Sequence, residues 1–505
     1  MTAKTLMVMG TSSSAGKSLL TVALCRCFAR RGIRVAPFKA QNMSNNAAVC
    51  SNGAEIGRSQ ALQALAAGVP PDSDMNPILL KPEGQTRSQV IVNGRPHDSL
   101  EAADYYQRRQ KLWPQVTAAL DRLRDRYELV VIEGAGSPAE LNLAHVEMVN
   151  MSVARYCQSP VILVGDIERG GVFAQLLGTL WLLPPEDRRL VRGLLVNKFR
   201  GDLALFDSGV EILRERGGVE VLGVLPWIEN LRLPEEDAVA LSSMPAIGAT
   251  NPSQLDIAVI HLPHIANFDD FDPLATEPSV NLRYVRSADQ LGKPDAILVP
   301  GTKNTIGDLQ WLRASGIATQ IEQSAASGVA VVGICGGYQI LGGTIDNPNR
   351  LECNSSTASG LGLLEIETTF EAQKQTCQVE MRVTDDTIAP GTLGELLSGY
   401  EIHVGRTTSR SPWMNGAAGP DGARSRDGAV WGCYLHGLFH NDRFRSAWLS
   451  KLAGRSISDF QISSSEQIQL SLDRLANTFE THVDFERLME IVFESAHAKD
   501  TNYVG

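Results

Sequence analysis

The chain has 505 residues, of which 43% are apolar and 20% are charged, a balance that predicts a globular protein of two to four domains. Its formal net charge of −11 argues against a nucleic-acid partner, because such partners usually meet a basic face. No apolar run approaches the roughly 18 residues of a membrane span, so we expect no membrane partner and no signal peptide. The eight cysteines form no CxxC pair, which favours a reducing, cytoplasmic location.

The first half of the chain alternates strand patterns with helix patterns. Its short apolar, β-branched runs predict strands that are buried on both faces of a parallel sheet. Helix patterns occupy residues 17–31 and 105–126, so this half is a series of βαβ units. The predicted strands lie at residues 5–9, 33–38, 129–132, 160–164 and 193–196.

A change in composition separates this half from a second α/β series. Proline, serine and acidic residues accumulate in residues 236–254, which predicts a linker. Strand patterns return at residues 255–261, 296–299 and 329–332. We therefore predict two doubly wound α/β domains followed by a helical tail. The predicted boundaries are 1–235 for the first domain, 236–254 for the linker, 255–450 for the second domain and 451–505 for the tail.

A phosphate-binding loop follows the first predicted strand. Small residues run from Gly10 to Gly16, with five residues between the two glycines where the common motif has four. Such a loop turns backbone N–H groups towards phosphate oxygens at a helix N-terminus. Lys17 is then expected to reach the β- and γ-phosphates, and the Ser18 hydroxyl to bind Mg²⁺. The predicted ATP-binding residues of the loop are Gly10, Thr11, Ser14, Ala15, Gly16, Lys17 and Ser18.

Four further polar residues are candidates for the same site. Glu133, at the end of a predicted strand, and Glu55, at a predicted helix start, are candidate Mg²⁺ ligands. The alternatives are a solvated carboxylate for Glu133 and a favourable first-turn charge for Glu55. Lys39 is expected to neutralise charge on the phosphoryl group, and Asn197 to bind adenine. A surface lysine and a turn-forming asparagine are the respective alternatives.

A second motif lies at the end of the strand predicted at 329–332. Residues 333–337 form a Gly-x-Cys-x-Gly turn around Cys335, which predicts a sharp elbow that presents a nucleophilic thiol. The N–H groups of Gly336 and of Gly301, which follows another strand, are the expected oxyanion donors. The alternative for Cys335 is a buried cysteine in a glycine-rich turn.

A thiol nucleophile needs a base. His436 is favoured because it follows the strand-like run 429–435 and precedes a glycine. His403 is the second candidate. The remaining histidines of this half are His261, His264, His440, His482 and His497.

Together these segments resemble known families. The Gly-Ile-Cys-Gly-Gly-Tyr-Gln elbow and the Tyr-Leu-His-Gly segment resemble class I glutamine amidotransferases. The Gly-x5-Gly-Lys-Ser loop and Glu-Gly-Ala-Gly resemble P-loop, dethiobiotin synthetase-like domains. Their fusion in this order resembles the corrinoid amidases, over roughly residues 5–445. Within that family, the chain resembles the cobyric acid synthases. The segments that carry this resemblance are residues 39–46, 55–60, 75–82, 197–202, 262–274 and 301–309.

The resemblance implies residue roles. Cys335 would be the glutaminase nucleophile and His436 its base. Class I domains usually carry a glutamate two residues after this histidine, where the chain has Leu438. Corrinoid amidases generally lack that glutamate, so the residue that orients His436 is left open.

The resemblance also implies a reaction. With ATP, Mg²⁺ and glutamine, the enzyme would amidate the b, d, e and g propionates of adenosylcobyrinic acid a,c-diamide through acyl phosphates. Neutral ammonia would need a sheltered path between the domains, and the polar run 41–46 is our candidate corrin contact. The alternatives are a cobyrinic acid a,c-diamide synthase, which acts on two acetates, and a P-loop switch ATPase with a degenerate glutaminase domain.

Overall fold

The computed structural model describes residues 2–84, 86–101, 104–105, 109–234, 236, 254–352, 355–457 and 462–493. Of the predicted linker, only residues 236 and 254 are among them, and His497 lies outside the described residues. No helix of the described ranges is long and apolar enough to cross a membrane.

The first domain is built on a parallel sheet. Its described strands are β1 (Lys4–Gly10), β2 (Val35–Phe38), β3 (Gln41–Met43), β4 (Ala47–Val49), β5 (Glu55–Gly57), β6 (Ile78–Pro82), β7 (Arg87–Val92), β8 (Arg95–Glu101), β9 (Leu129–Glu133), β10 (Val161–Asp166), β11 (Val191–Phe199) and β12 (Val221–Pro226). Its described helices of four or more α-helical residues are α1 (Lys17–Arg30), α2 (Arg58–Ala67), α3 (Trp113–Arg126), α4 (Met151–Cys157), α5 (Val172–Leu182), α6 (Pro185–Arg188) and α7 (Asp207–Gly217).

The order of the main sheet, within the described residues, is β12-β11-β10-β1-β9-β2, and all of its pairings are parallel. The strand cores are apolar on both faces because helices cover both sides of the sheet. The carboxyl ends of β1, β9 and β11 therefore meet at one edge, where ligands bind in such sheets. That edge carries the phosphate-binding loop, Glu133 and Asn197.

Two small sheets extend the first domain. One has the order β3-β6-β7-β8, and the other is the β4–β5 pair. Glu55 lies in β5 and does not open a helix, because its backbone pairs with β4 and its N–H bonds to Gly94. Helix α2 begins three residues later, at Arg58. The predicted helix start at Glu55 is therefore wrong.

The second domain has a sheet of parallel strands and a long hairpin. Its described strands are β13 (Leu255–Ile260), β14 (Val280–Val285), β15 (Ala296–Val299), β16 (Ala330–Ile334), β17 (Thr344–Asp346), β18 (Thr357–Ser359), β19 (Ile366–Val383), β20 (Leu396–Ser409), β21 (Met414–Gly416), β22 (Gly419–Asp421), β23 (Ala423–Arg424) and β24 (Val430–Cys433). Its described α-helices are α8 (Asp272–Ala275), α9 (Ala288–Leu291), α10 (Thr305–Ala314), α11 (Ile317–Ala326), α12 (Gly336–Leu341) and α13 (Asp442–Ala453).

The order of the second main sheet is β14-β13-β15-β16-β24-β23, parallel except for the β23–β24 pair. Strand β16 runs directly into Cys335 and α12, so the elbow lies at the carboxyl edge of the sheet. The β19–β20 hairpin packs against β4 of the first domain. The structure therefore confirms the prediction of two α/β domains with parallel-sheet cores.

The C-terminal helices return to the first domain. Helices α14 (Ser464–His482) and α15 (Phe485–Phe493) pack on α1. Arg26 Nε lies 2.8 Å from Asp473 Oδ1, and the Phe28 and Phe485 ring centroids are 5.3 Å apart. Phe479 is fully buried in the same cluster. The helical tail thus covers one face of the phosphate-binding domain.

Truncating Phe479 is expected to loosen the first domain. Phe479→Ala should cost about 3–5 kcal/mol, because it removes a buried aromatic ring from the face of α1. Hydrogen exchange of peptides from α1, followed by mass spectrometry, measures this loss. Leu470→Ala, an exposed position on the same helix, is the matched control. Equal exchange in the two variants would show that the tail does not support α1.

Candidate active sites

Cys335 lies on the strained elbow between β16 and α12. Its φ of 52° places a non-glycine residue in the left-handed region, as in nucleophile elbows. The turn needs its glycines, because a Cβ on Gly337 would lie 1.9 Å from the Val299 carbonyl oxygen. The thiol is 7% exposed and donates to the Ile402 carbonyl at 3.4 Å.

His436 is held beside Cys335 by a carboxylate that sequence reasoning missed. Its Nδ1 lies 2.7 Å from Asp270 Oδ2, and the N–H of Gly437 donates to Asp270 Oδ1 at 2.7 Å. Asp270 therefore occupies the orienting role that Leu438 cannot fill. The segment 262–274 supported the family resemblance, but nothing in its pattern paired an aspartate with a histidine 166 residues away.

Electrostatics favour a charged imidazole at this position. Burial alone would lower the pKa of His436, but the negative charge of Asp270 and the contact with Cys335 outweigh it and raise the pKa to about 10. The ring also stacks on Tyr400, with the centroids 5.1 Å apart. The arrangement has the features of a cysteine–histidine dyad with an orienting carboxylate.

The predicted oxyanion donors line the same cavity as Cys335 and His436. A Cβ on Gly301 would lie 3.2 Å from the His436 ring and 3.8 Å from Cys335 Cβ, so a small residue there gives substrate room. Gly336 packs against Thr302. The cavity, of about 60 Å³, also includes Asn45 and Lys81 of the first domain.

The other candidate bases are placed differently. His403 lines this cavity, but its ring nitrogens meet the Gly405 carbonyl at 2.7 Å and Glu401 Oε2 at 3.4 Å. His264 is bonded to Asp308 at 2.7 Å. His436 is thus the candidate that lies beside Cys335, since its ring and Cys335 Cβ lie 3.2 and 3.8 Å from the same point, a Cβ placed on Gly301.

At the other site, Glu133 lies beneath the phosphate-binding loop and accepts hydrogen bonds from three side chains. Its Oε1 accepts from Ser18 Oγ and from Lys39 Nζ, each at 2.8 Å, and its Oε2 accepts from Gln63 Nε2 at 2.6 Å. Burial would raise the pKa of Glu133, but Lys39 and these hydrogen bonds hold it below the usual value. The structure therefore brings together three of the predicted residues and adds Gln63, which the sequence analysis missed.

This oxygen set fits Mg²⁺. Ser18 and Glu133 offer a hydroxyl and an ionised carboxylate, and Mg²⁺ in nucleotide sites takes one or two protein oxygens plus phosphate oxygens. No cluster of three or more His, Cys, Asp or Glu side chains able to hold a metal occurs in the described part of the chain.

Lys17 and Asn197 both engage the loop itself. Lys17 Nζ donates to the Ser12 carbonyl at 2.8 Å and to the Gly136 carbonyl at 3.1 Å. Asn197 Nδ2 donates to the Ala15 carbonyl at 2.9 Å. Asn197 thus packs under the loop, and its contact with adenine stays a prediction.

Glu55 is not joined to this group by any hydrogen bond or ion pair between described residues. It instead pairs with Lys81 at 3.5 Å and with Lys374 of the β19–β20 hairpin. Burial would raise the pKa of Glu55, but the two lysines lower it to about 2. Burial lowers the pKa of Lys374 to about 7, although Glu55 opposes that shift. The structure therefore places Glu55 at the interface between the domains.

The role of Asp270 can be tested with an isosteric change. Asp270→Asn should lower kcat for glutamine hydrolysis on the order of 10²–10⁴-fold, because His436 loses both its orientation and its charge partner. Since Asp270 raises the pKa of His436, the alkaline limb of the pH–rate profile should move to lower pH. Steady-state rates over a pH series measure both effects.

Asp289→Asn, at an exposed residue of α9 in the same domain, is the control and should leave the profile unchanged. An unaltered alkaline limb in Asp270→Asn would mean that Asp270 does not set the charge of His436.

The chain is similar to known proteins over nearly its whole length. Residues 6–240 match the family described as a CobQ/CobB/MinD/ParA nucleotide binding domain, and residues 256–444 match a CobB/CobQ-like glutamine amidotransferase domain. The cobyric acid synthase of Roseiflexus castenholzii is 54% identical over 90% of this chain and 92% of its own. That of Herpetosiphon aurantiacus is 51% identical over 97% and 99%, and that of Dehalococcoides mccartyi 45% over 97% and 99%.

Proposed function

The chain belongs to the cobyric acid synthase family, and from this premise we propose that it amidates the b, d, e and g propionates of adenosylcobyrinic acid a,c-diamide. It is a glutamine amidotransferase ligase of cobalamin biosynthesis. The nitrogen comes from glutamine, ATP activates each carboxylate, and the product is adenosylcobyric acid. The observation that carries this proposal is the cavity at Cys335, which residues of both domains line.

Glutamine is hydrolysed in the second domain. The Cys335 thiolate attacks the side-chain amide carbon, and the N–H groups of Gly336 and Gly301 stabilise the oxyanion. His436 gives its proton to the leaving nitrogen, so ammonia departs and a thioester remains. Water then attacks the thioester with His436 as base, and glutamate leaves as the thiolate is restored. Asp270 keeps the ring in place throughout both steps.

The carboxylate is activated in the first domain. A propionate oxygen attacks the γ-phosphorus of ATP, which gives an acyl phosphate and ADP. Ammonia attacks the acyl carbon and phosphate leaves, so that an amide forms. Lys17 and Lys39 balance charge on the transferring phosphoryl group. Mg²⁺, held by Ser18 and Glu133, would supply further positive charge at the β- and γ-phosphates when bound.

The residues that line the cavity at Cys335 bear on the path by which ammonia leaves. Its lining includes three lysines, Lys81 of the first domain and Lys303 and Lys374 of the second. Burial lowers the pKa of Lys81 and of Lys374, and the same loss of solvent disfavours ammonium and favours neutral ammonia, the form that can attack an acyl phosphate. We infer that ammonia leaves Cys335 through this side of the cavity, along the interface that Glu55 and the lysines form.

The acceptor and the nitrogen route can be tested together. With MgATP, glutamine and adenosylcobyrinic acid a,c-diamide, the corrinoid mass should fall in equal steps, one for each hydroxyl replaced by an amino group, and the series should end after four steps. Cys335→Ser should give no product with glutamine and normal product with high ammonium, because it loses only the ammonia supply. Mass spectrometry follows both reactions.

Cys377→Ser, which changes a half-buried cysteine of β19, is the control and should behave as the unaltered enzyme. Amidation of cobyrinic acid but not of its a,c-diamide would identify a diamide synthase instead. ATP hydrolysis that is unchanged in Cys335→Ser, with no amidated corrinoid from glutamine or from ammonium in either protein, would support the switch-ATPase alternative.

Removing the charge of Glu133 should affect the other half-reaction. Glu133→Gln should reduce amidation on the order of 10²–10³-fold with either nitrogen source, because the metal loses its ionised ligand and Lys39 loses its partner. The ammonium-dependent rate is the decisive measurement, since it bypasses the glutaminase. An ammonium-dependent rate equal to that of the unaltered enzyme would remove Glu133 from the nucleotide site.

A further inference from the structure

Two adjacent carboxylates lie buried beside the glutaminase dyad. Asp269 and Asp270 are each 2% exposed and lie in the short turn Phe268–Phe271. Asp270 holds His436, as described above. Two neighbouring buried carboxylates disfavour each other's ionised form, so one of them takes a proton unless a cation lies close by.

Arg58 of the first domain supplies that cation. Its Nη2 lies 2.7 Å from Asp269 Oδ2, and the same guanidinium donates to the Tyr400 hydroxyl. Burial raises the pKa of Asp269, Arg58 opposes that shift, and Asp270 adds to it. Other titratable groups that face this cluster are Asp272, His440 and Cys335. An arginine keeps its charge at all working pH values.

Tyr400 is the second support of His436. The two rings stack at an interplanar angle of 17°, and the backbones exchange two hydrogen bonds, with N–O distances of 2.9 and 3.2 Å. Arg58 contacts both the acidic turn and this tyrosine. The guanidinium therefore contacts both supports of His436, the Asp269–Asp270 turn and the Tyr400 side chain.

The position of Arg58 depends on how the domains dock. The N–H of Ala47 donates to Asn267 Oδ1 at 2.9 Å, and the N–H of Asn267 donates to Asn46 Oδ1 at 2.6 Å. The N–H of Arg58 bonds to the Asn46 carbonyl at 3.3 Å. The first residue of α2 is thus fixed by the same loop that locks the two domains together.

We propose that Arg58 is a positioning residue of the glutaminase, contributed by the first domain, and that it holds the Asp269–Asp270 turn and Tyr400 against His436. Glutamine hydrolysis then runs at full rate only while the domains are docked. The inference rests on the proposed role of Cys335 and His436 as the glutaminase dyad. The isolated second domain lacks Arg58 and so lacks a complete site.

Substitution of Arg58 should separate the two activities of the full-length enzyme. Arg58→Met should lower kcat for glutamine hydrolysis on the order of 10²-fold, with a smaller change in KM, because Cys335 and the glutamine cavity remain. Amidation supported by ammonium, measured with MgATP and the a,c-diamide, should be retained. Arg95→Met, at an exposed position of β8, is the control and should leave both rates unchanged.

The pH profile distinguishes positioning from general damage. Arg58 opposes the rise in the pKa of Asp269 that burial and the neighbouring Asp270 cause, so without the cation Asp269 takes up its proton at higher pH and the turn that holds His436 changes its charge there. The acid limb of glutamine hydrolysis in Arg58→Met should therefore move to higher pH. Arg58→Lys, which keeps the charge, should restore most of the profile. The double variant Arg58→Met, Asp270→Asn should have a kcat for glutamine hydrolysis only slightly lower than that of Asp270→Asn alone. Both substitutions act on His436 through the same Asp269–Asp270 turn, so their effects should not add.

Two results would overturn the inference. One is a loss of ammonium-supported amidation in Arg58→Met as large as the loss of glutamine hydrolysis, since Arg58 would then serve the first domain. The other is an unchanged acid limb with an unchanged kcat for glutamine. Failure of the dyad itself would appear elsewhere, as glutamine-dependent product from Cys335→Ser.

Discussion

In the proposed mechanism, the chemistry of the second domain depends on the hydrogen bond between His436 and Asp270. A glutamate close in sequence to the histidine would orient it through local geometry alone. Here the carboxylate comes from a turn 166 residues away, so the dyad is correct only if the tertiary packing is correct. Whatever holds the Asp269–Asp270 turn also decides whether Cys335 has a working base. That turn contacts Arg58 of the first domain, so the two domains meet directly beside the proposed base.

The other buried carboxylates also depend on charged partners that are distant in sequence. Glu133 is balanced by Lys39, and Glu55 by Lys81 and Lys374. Such pairs add little net stability, but leaving one partner buried alone is strongly unfavourable. At the interface this makes docking specific, because separating the domains takes Lys374 of the second domain away from Glu55 of the first. The lysines that pair with Glu55 at the interface also line the cavity at Cys335.

Local patterns predicted the elements but not their long-range partners. The strand–loop–helix at Gly10 and the elbow at Cys335 are visible because a few adjacent residues dictate the backbone. The residues around Glu55 predict a helix start, because the pairing of Glu55 with β4 is not encoded in them. Asp270 and Arg58 escaped notice for a related reason, since each is defined by contacts with residues far along the chain. The packing of α14 on α1 could not be predicted either. Hydrophobic periodicity predicts that a helix has an apolar face, but it does not predict which element packs against that face.

Helix α2 contacts both candidate active sites. Its first residue, Arg58, supports the glutaminase, and Gln63, little more than one turn later, donates to Glu133 at 2.6 Å. Five residues of helix span only about 7.5 Å. The helix is largely buried, so a displacement at one end is transmitted to the other rather than absorbed in between. The hydrogen bond to Glu133 and the ion pair with Asp269 therefore start from one rigid element, and in the proposed mechanism that element links the site of ammonia release to the site of carboxylate activation.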